Sequence, residues 1–325
     1  MKILAVDDDP FILEVLTSLV ELMDGFDLLT AEGVSQALEV MADHGDIECF
    51  LVDIQMPERD GISLVRDIRA DKRFERAPVL MLTAMADKVY IDRAFAAGAT
   101  DYINKPFDIS ELSDQLELEK RRVEERRQQD ERLTQTASGH SVSQSSAPFS
   151  LYQPFDVHDI DNVVTLTALE NYVTRLSRSA LFGSSVFGVT LRRAPHLFDG
   201  LSEFDFKSLI ADIAEAISDQ LMSTQSLITY VGGGSFVCVL EDGACLDRER
   251  MTDALNLAIH RMDLHDSNGQ PLHLRVCAGQ PVRLFWRPGH QAIECLSQAH
   301  ANAESEAQRM EENLDKFWTL GESAT

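Results

Sequence analysis

Residues 49–61 read Cys49-Phe50-Leu51-Val52-Asp53-Ile54-Gln55-Met56-Pro57-Glu58-Arg59-Asp60-Gly61, an apolar run of strand length that closes on a carboxylate and passes into a turn-rich stretch. Three comparable strand endings surround it in the chain. Asp7-Asp8-Asp9 follows an apolar run at 2–6, Thr83-Ala84 follows 78–82, and Lys105-Pro106 follows 102–104. A further strand is read at 26–30, and amphipathic segments such as 10–23 and 34–44 lie between the strands. This five-fold alternation predicts a doubly wound parallel α/β sheet with right-handed crossovers. In such a sheet the carboxyl ends of the strands share one edge, so the four endings converge on one shallow pocket.

The residue types at that edge define a chemistry. An acidic cluster holds a hard divalent cation through oxygen ligands, and the cation lets a carboxylate attack a phosphoryl group without prohibitive charge repulsion. A hydroxyl and an ammonium remain to bind the new phosphoryl oxygens. In this order, the set resembles the receiver domain of bacterial two-component response regulators. The resemblance implies Asp53 as phosphoacceptor and Mg²⁺ held by Asp7, Asp8, Asp53 and the backbone carbonyl of Gln55. It also implies Thr83 and Lys105 as phosphoryl-binding residues, with Tyr102 coupling the hydroxyl to the surface formed by residues 87–111. The expected phosphate source is a sensor histidine kinase or a phosphotransfer protein.

At 325 residues the chain exceeds the usual size of one core, and two domains are expected. The net charge of −25 divides as −12 over residues 1–110, −2 over 111–133 and −11 over the remainder. Neither globular part carries the basic footprint that nucleic acid or an anionic membrane requires, so no direct DNA or membrane partner is expected. The cysteines, Cys49, Cys238, Cys245, Cys277 and Cys295, form no CxxC pair, and their odd number argues against a disulfide framework. The start turns acidic at Asp7, too soon for a signal peptide, and no apolar run reaches bilayer length. A cytoplasmic location is expected.

The predicted organisation is a receiver at 1–110, an extended helix at 111–135, a flexible serine-rich linker at 136–150 and a second α/β domain at 151–325. No Gly or Pro interrupts the helix before Ser138 and Gly139. Leu112, Leu116, Val123 and Leu133 fall on or near a seven-residue spacing, but Glu119, Arg126 and Asp130 occupy the intervening seam positions. The segment reads as a solvated helix or as a short parallel coiled coil joining two protomers.

Beyond the linker, helices are predicted at 165–181, 203–222, 248–265 and 291–310, with strands at 185–191, 227–231, 235–240 and 272–278 in a mixed or antiparallel sheet. Gly232-Gly233-Gly234 joins two of the strands, a hairpin signal. This hairpin, running on into Ser235 and Phe236, resembles the signature of the diguanylate cyclase (GGDEF) family, as Leu166-Thr167-Ala168-Leu169-Glu170-Asn171 resembles its helix-opening motif. That family's acidic third and fourth signature positions are here Gly234 and Ser235, and Arg192-Arg193 stand where its first-strand metal ligand is needed. Its product site maps to Ser223 and Ser226. Joining two nucleoside triphosphates needs divalent metal, so an inactive domain without catalytic residues is expected, used for contact with an unidentified downstream protein. A module holding a guanine nucleotide without turnover, and a cyclase with atypical metal ligands, are the alternatives. Phosphorylation is expected to favour a homodimer through the 87–111 face.

Overall fold

The computed structural model describes residues 1–84, 88–107, 109–137, 149–157, 160–176, 178–241, 247–285, 287 and 289–322, with side chains except at 88, 129–137, 178, 179 and 313–322. The chain divides into two compact units, Met1–Pro148 and Phe149–Thr325. Asp87, Asp108, Cys245, linker residues 138–148 and the side chain of Lys88 lie outside the described set, as do the side chains of Phe317 and Trp318 in the C-terminal tail.

The first unit runs β1 (Lys2–Val6), α1 (Pro10–Val20), β2 (Asp27–Ala31), α2 (Val34–Asp43), β3 (Cys49–Asp53), α3 (Gly61–Ala70), β4 (Val79–Thr83), α4 (Lys88–Ala96), β5 (Asp101–Asn104) and α5 (Ile109–Ala137). All strand pairs are parallel, in the order β2-β1-β3-β4-β5. Successive side chains of a strand point to opposite faces, and the two cores follow that rule. Leu4, Val6, Phe50, Val52, Val79 and Met81 pack with α2 and α3 on one face. Ile3, Ala5, Cys49, Leu51, Leu80 and Leu82 pack with α1 and α5 on the other. Burial of every β3 and β4 residue explains their unbroken apolar sequence.

Helix α5 differs from both readings of its sequence. Leu112 and Leu116, one turn apart, are 1% and 0% exposed in the receiver core, so they cannot form a seam with a second chain. Nor is the following stretch simply solvated. Glu119 is buried and paired with Arg122 at 2.5 Å, Lys120 Nζ donates to the Asp24 carbonyl at 3.1 Å and sits over the Phe26 ring, and Arg126 donates to the Arg76 carbonyl at 2.6 Å. Burial pushes the Glu119 carboxyl above its usual range although Arg122 opposes the shift. These contacts hold α5 against the receiver well past Glu111.

The second unit runs α6 (Leu166–Arg175), α7 (Arg178–Gly183), β6 (Ser185–Leu191), α8 (Ala194–Gly200), α9 (Glu203–Leu221), β7 (Ser226–Gly232), β8 (Ser235–Leu240), α10 (Arg248–Arg261), β9 (Val276–Ala278), β10 (Val282–Arg283) and α11 (His290–Glu322). Its sheet has the order β10-β6-β8-β7, with β9 also on β6, and every pair is antiparallel. The expected helix at 165–181 is two helices because Leu176 leaves the helical conformation, with ψ at 132°. The expected strand at 272–278 contracts to three residues, matched only to Val189, Thr190 and Leu191. Helix α11 extends to Glu322, and its close seat on β6 depends on Gly188, where a Cβ would stand 2.6 Å from the Ala299 carbonyl oxygen.

Candidate functional site

The carboxyl edge of the first sheet gathers the predicted groups in distinct ways. Asp7 immediately follows β1 and is 1% exposed, and its Oδ1 accepts the Asp9 N–H at 3.1 Å. Asp9 caps α1 by accepting from Phe11 N, which fixes the turn that carries Asp7. Asp53 ends β3, is 5% exposed, and its Oδ2 accepts the Gln55 N–H at 2.7 Å. Lys105 follows β5, and its Nζ lies 2.5 Å from both Asp7 Oδ2 and Asp53 Oδ1. The two carboxylates are thus drawn to a single ammonium.

Thr83 ends β4, is buried, and its carbonyl accepts the Lys105 N–H at 2.6 Å, so the hydroxyl-bearing and ammonium-bearing residues are tied through the backbone. Asp8 and Gln55 are exposed at the rim. Tyr102 is half-buried on β5, edge-on to Phe95 with ring centroids 6.3 Å apart. Gly61 carries a positional constraint that the sequence shows only as one glycine in a turn. A Cβ there would stand 1.9 Å from the Asp53 carbonyl oxygen, so any side chain would push α3 off the end of β3.

Burial raises the Asp53 carboxyl above its usual range, the ammonium of Lys105 opposes that rise and the charge of Asp7 adds to it. Burial alone would lower the Lys105 pKa, but the bonds to Asp53 and Asp7 outweigh it and the amine holds its proton more tightly. One positive charge facing two buried carboxylates leaves a net negative site built of hard oxygen donors, with a third carboxylate, Asp8, beside it. That chemistry fits a small divalent cation. Among the described residues no three His, Cys, Asp or Glu are already gathered as a ligand set, since Lys105 stands between Asp7 and Asp53. A polar cleft of roughly 690 Å³ that includes Lys2, Gly25, Asp46, Glu48 and Arg73 lies at the opposite edge, away from this chemistry. Its Lys2–Asp46 ion pair at 2.5 Å marks it as surface charge pairing.

In the second unit, Gly232, Gly233 and Gly234 all have positive φ, at 91°, 65° and 75°. A Cβ on Gly234 would lie 2.7 Å from that of Ala194. Ser235 is fully buried, its Oγ 3.1 Å from Thr190 Oγ1, and Phe236 is buried against Tyr230. Arg192 and Arg193 Nε donate to the two oxygens of Glu311 on α11, at 2.6 and 2.7 Å. Burial would raise the Glu311 carboxyl, but the two guanidiniums more than offset it and hold it low. Ser226 is buried in β7 and Ser223 is exposed.

Residues 3–117 match the response regulator receiver domain family. Chemotaxis protein CheY1 of Helicobacter pylori is 34% identical over 118 residues, covering 36% of this chain and 95% of the relative. A CheY homolog of Campylobacter jejuni is 32% identical over 117 residues, covering 36% of this chain and 90% of the relative. Among solved structures, Vibrio cholerae CheY4 is 28% identical with a TM-score of 0.34, covering 36% of this chain and 95% of its own. No helix among the described residues is long and apolar enough to cross a membrane. Through its N-terminal unit, the chain belongs to the response regulator receiver family of two-component systems.

Proposed function

We propose that Asp53 accepts a phosphoryl group from a sensor histidine kinase or phosphotransfer protein, and that the second unit passes the signal on through protein contact without cyclase chemistry. The observation that carries the first part is the shared contact of Lys105 Nζ with Asp53 and Asp7 at the sheet edge. An Asp53 carboxylate oxygen attacks phosphorus, the donor's bond to phosphorus breaks, and its leaving group keeps the electron pair. Lys105 then turns from the carboxylates to a phosphoryl oxygen, and the Thr83 hydroxyl donates to another. Receiver domains generally bind Mg²⁺ at the phosphorylation site, where Asp7, Asp8, Asp53 and the Gln55 carbonyl would hold it. When bound, it neutralises phosphoryl charge that the acidic edge would otherwise repel.

The second unit is read as a catalytically inactive cyclase-like domain. In support, Ser235, at one of the positions that would need a carboxylate, is buried with its Oγ against Thr190 Oγ1, Ala194 leaves no room for a side chain at Gly234, and Glu311 engages Arg192 and Arg193 where the first-strand ligand would stand. The last contact also removes the support that two unpaired guanidiniums would lend to nucleotide binding. Intact-protein mass spectrometry with Mg²⁺ and a small phosphodonor tests the phosphoacceptor. One phosphoryl group is expected on the wild type, less on Asp8→Ala and none on Asp53→Asn, and equal labelling of wild type and Asp53→Asn would reject the assignment.

A further inference from the structure

Two of the three positive-φ glycines, Gly232 and Gly233, bind something in this structure, and it belongs to the chain itself. Gly233 N–H donates to the Leu151 carbonyl at 2.8 Å. Gly232 lies so close beneath the next residue that a Cβ would stand 2.6 Å from the Tyr152 carbonyl oxygen. Beside this backbone contact the segment folds back, so that two phenylalanines six residues apart meet edge-on, 5.7 Å between centroids, on shared aromatic ground. Phe155 packs on Tyr230 at 4.7 Å between centroids, and Phe149 packs on Phe198 at 5.5 Å and Phe206 at 6.2 Å. Lys207 Nζ stands over both anchors, 4.8 Å from the Phe149 ring and 5.6 Å from Phe155. Leu151 is buried, while Tyr152 is 72% exposed.

This is the layout of a peptide-recognition groove. Main-chain hydrogen bonding and close backbone approach fix a short segment, and one aromatic pocket takes both of its large side chains. The occupant begins at Phe149, where the second unit itself begins. We propose that the glycine turn and its aromatic floor form a peptide-binding groove loaded in cis by residues 149–155, and that an incoming peptide with two phenylalanines at this spacing binds only when that strap leaves. A tethered occupant competes at an effective concentration on the order of millimolar, so a free peptide of equal contacts is shut out while the strap is seated. Movement of the linker end would therefore decide whether the second unit can take a partner. The proposal deepens the reading of this unit as a protein-contact module, but the strap itself can be tested without any partner.

The full chain and a Phe149→Ala/Phe155→Ala variant are compared, since both changes weaken the strap and leave the groove intact. Hydrogen exchange at the Gly233 amide should quicken at least ten-fold in the variant, with exchange in α11 unchanged. A fluorescent peptide of the sequence 149–155 should bind the variant at least ten-fold more tightly than the wild type, restore Gly233 protection and lose binding when both its phenylalanines are alanine. Phe155→Ala alone removes one of the two half-buried anchors and keeps the contacts of Phe149 with Phe198 and Phe206, and it supplies the same readouts if the double variant unfolds. Unchanged Gly233 exchange, absence of peptide binding despite faster exchange, or equal binding to wild type and variant would each overturn the proposal. Phosphorylation plays no part in these arms, so failure of the phosphoacceptor assignment would leave them unaffected.

Discussion

Replacing Lys105 with methionine isolates the electrostatics of the receiver edge. The side chains of Lys105, Asp7 and Asp53 are 14%, 1% and 8% exposed, so the ammonium serves two carboxylates in a largely dehydrated setting. Removing one partner of a buried pair costs about 3–5 kcal/mol because the remaining charge is left unpaired. Here two like charges would be left facing each other, and one can escape by taking up a proton. We therefore expect a loss of about 3 kcal/mol at pH 7.5, at the lower end of that range. The Asp53 carboxyl is already raised in the native protein, and losing Lys105 removes the main influence that opposes the rise. A carboxyl with a folded pKa above its unfolded value holds more protons when folded, so its destabilisation is full above the folded pKa and fades below the unfolded one. The deficit of Lys105→Met should shrink as pH falls from 7.5 toward the ordinary carboxylate range. Urea-dependent hydrogen exchange at β1 and β3 amides reports this unit separately from the other. Mg²⁺ should stabilise the variant more than the wild type, since the cation becomes the remaining countercharge. A variant within 1 kcal/mol of wild type at pH 7.5, or a deficit that grows on acidification, would refute the reasoning.

Three further outcomes follow from the packing. Leu116→Ala should cost about 2–5 kcal/mol as a core truncation while leaving the molecular mass in light scattering unchanged, whereas a coiled-coil residue would lower the mass instead. Gly234→Asp combined with Ser235→Glu should yield no cyclic dinucleotide above background and should lower stability, because Ala194 and Thr190 occupy the space; measured turnover would contradict this. Phosphorylated protein should gain mass over a concentration series relative to Asp53→Asn, through the receiver face; identical masses would point to a monomeric switch.

The receiver was legible because its pattern is redundant. Each of β1, β3 and β4 announces itself as a largely apolar run, and these strands and the more polar β5 each end on or lead into a residue whose chemistry needs the same edge. Lys105 could be assigned to that edge from order alone, although its simultaneous contact with Asp7 and Asp53 could not, because chain order does not specify how side chains share a charge. Helix α5 misleads for a related reason. Leu112 and Leu116 carry a spacing that suits a partner helix and the receiver sheet equally, and only tertiary packing decides between them. Glu119 reads as a surface acid, yet Arg122 lies one turn away and supplies the pairing that permits its burial. In the second unit the glycines signalled a turn but not its occupant, since the contacts of Gly232 and Gly233 are made by residues about eighty positions earlier in the chain. The Arg192-Arg193-Ala194-Pro195 run did hold a usable signal for α8, a proline in its first turn.

The central claim is that Asp53, among three neighbouring acids at one edge, takes the phosphoryl group. Hydride reduction of an aspartyl phosphate converts that residue to homoserine, which peptide mass mapping locates by position. After treatment with Mg²⁺ and a small phosphodonor, reduction should place homoserine at Asp53 alone, with Asp7 and Asp8 unmodified. Homoserine at Asp7 or Asp8 with Asp53 intact, or phosphate that survives reduction on a serine or threonine, would contradict the account.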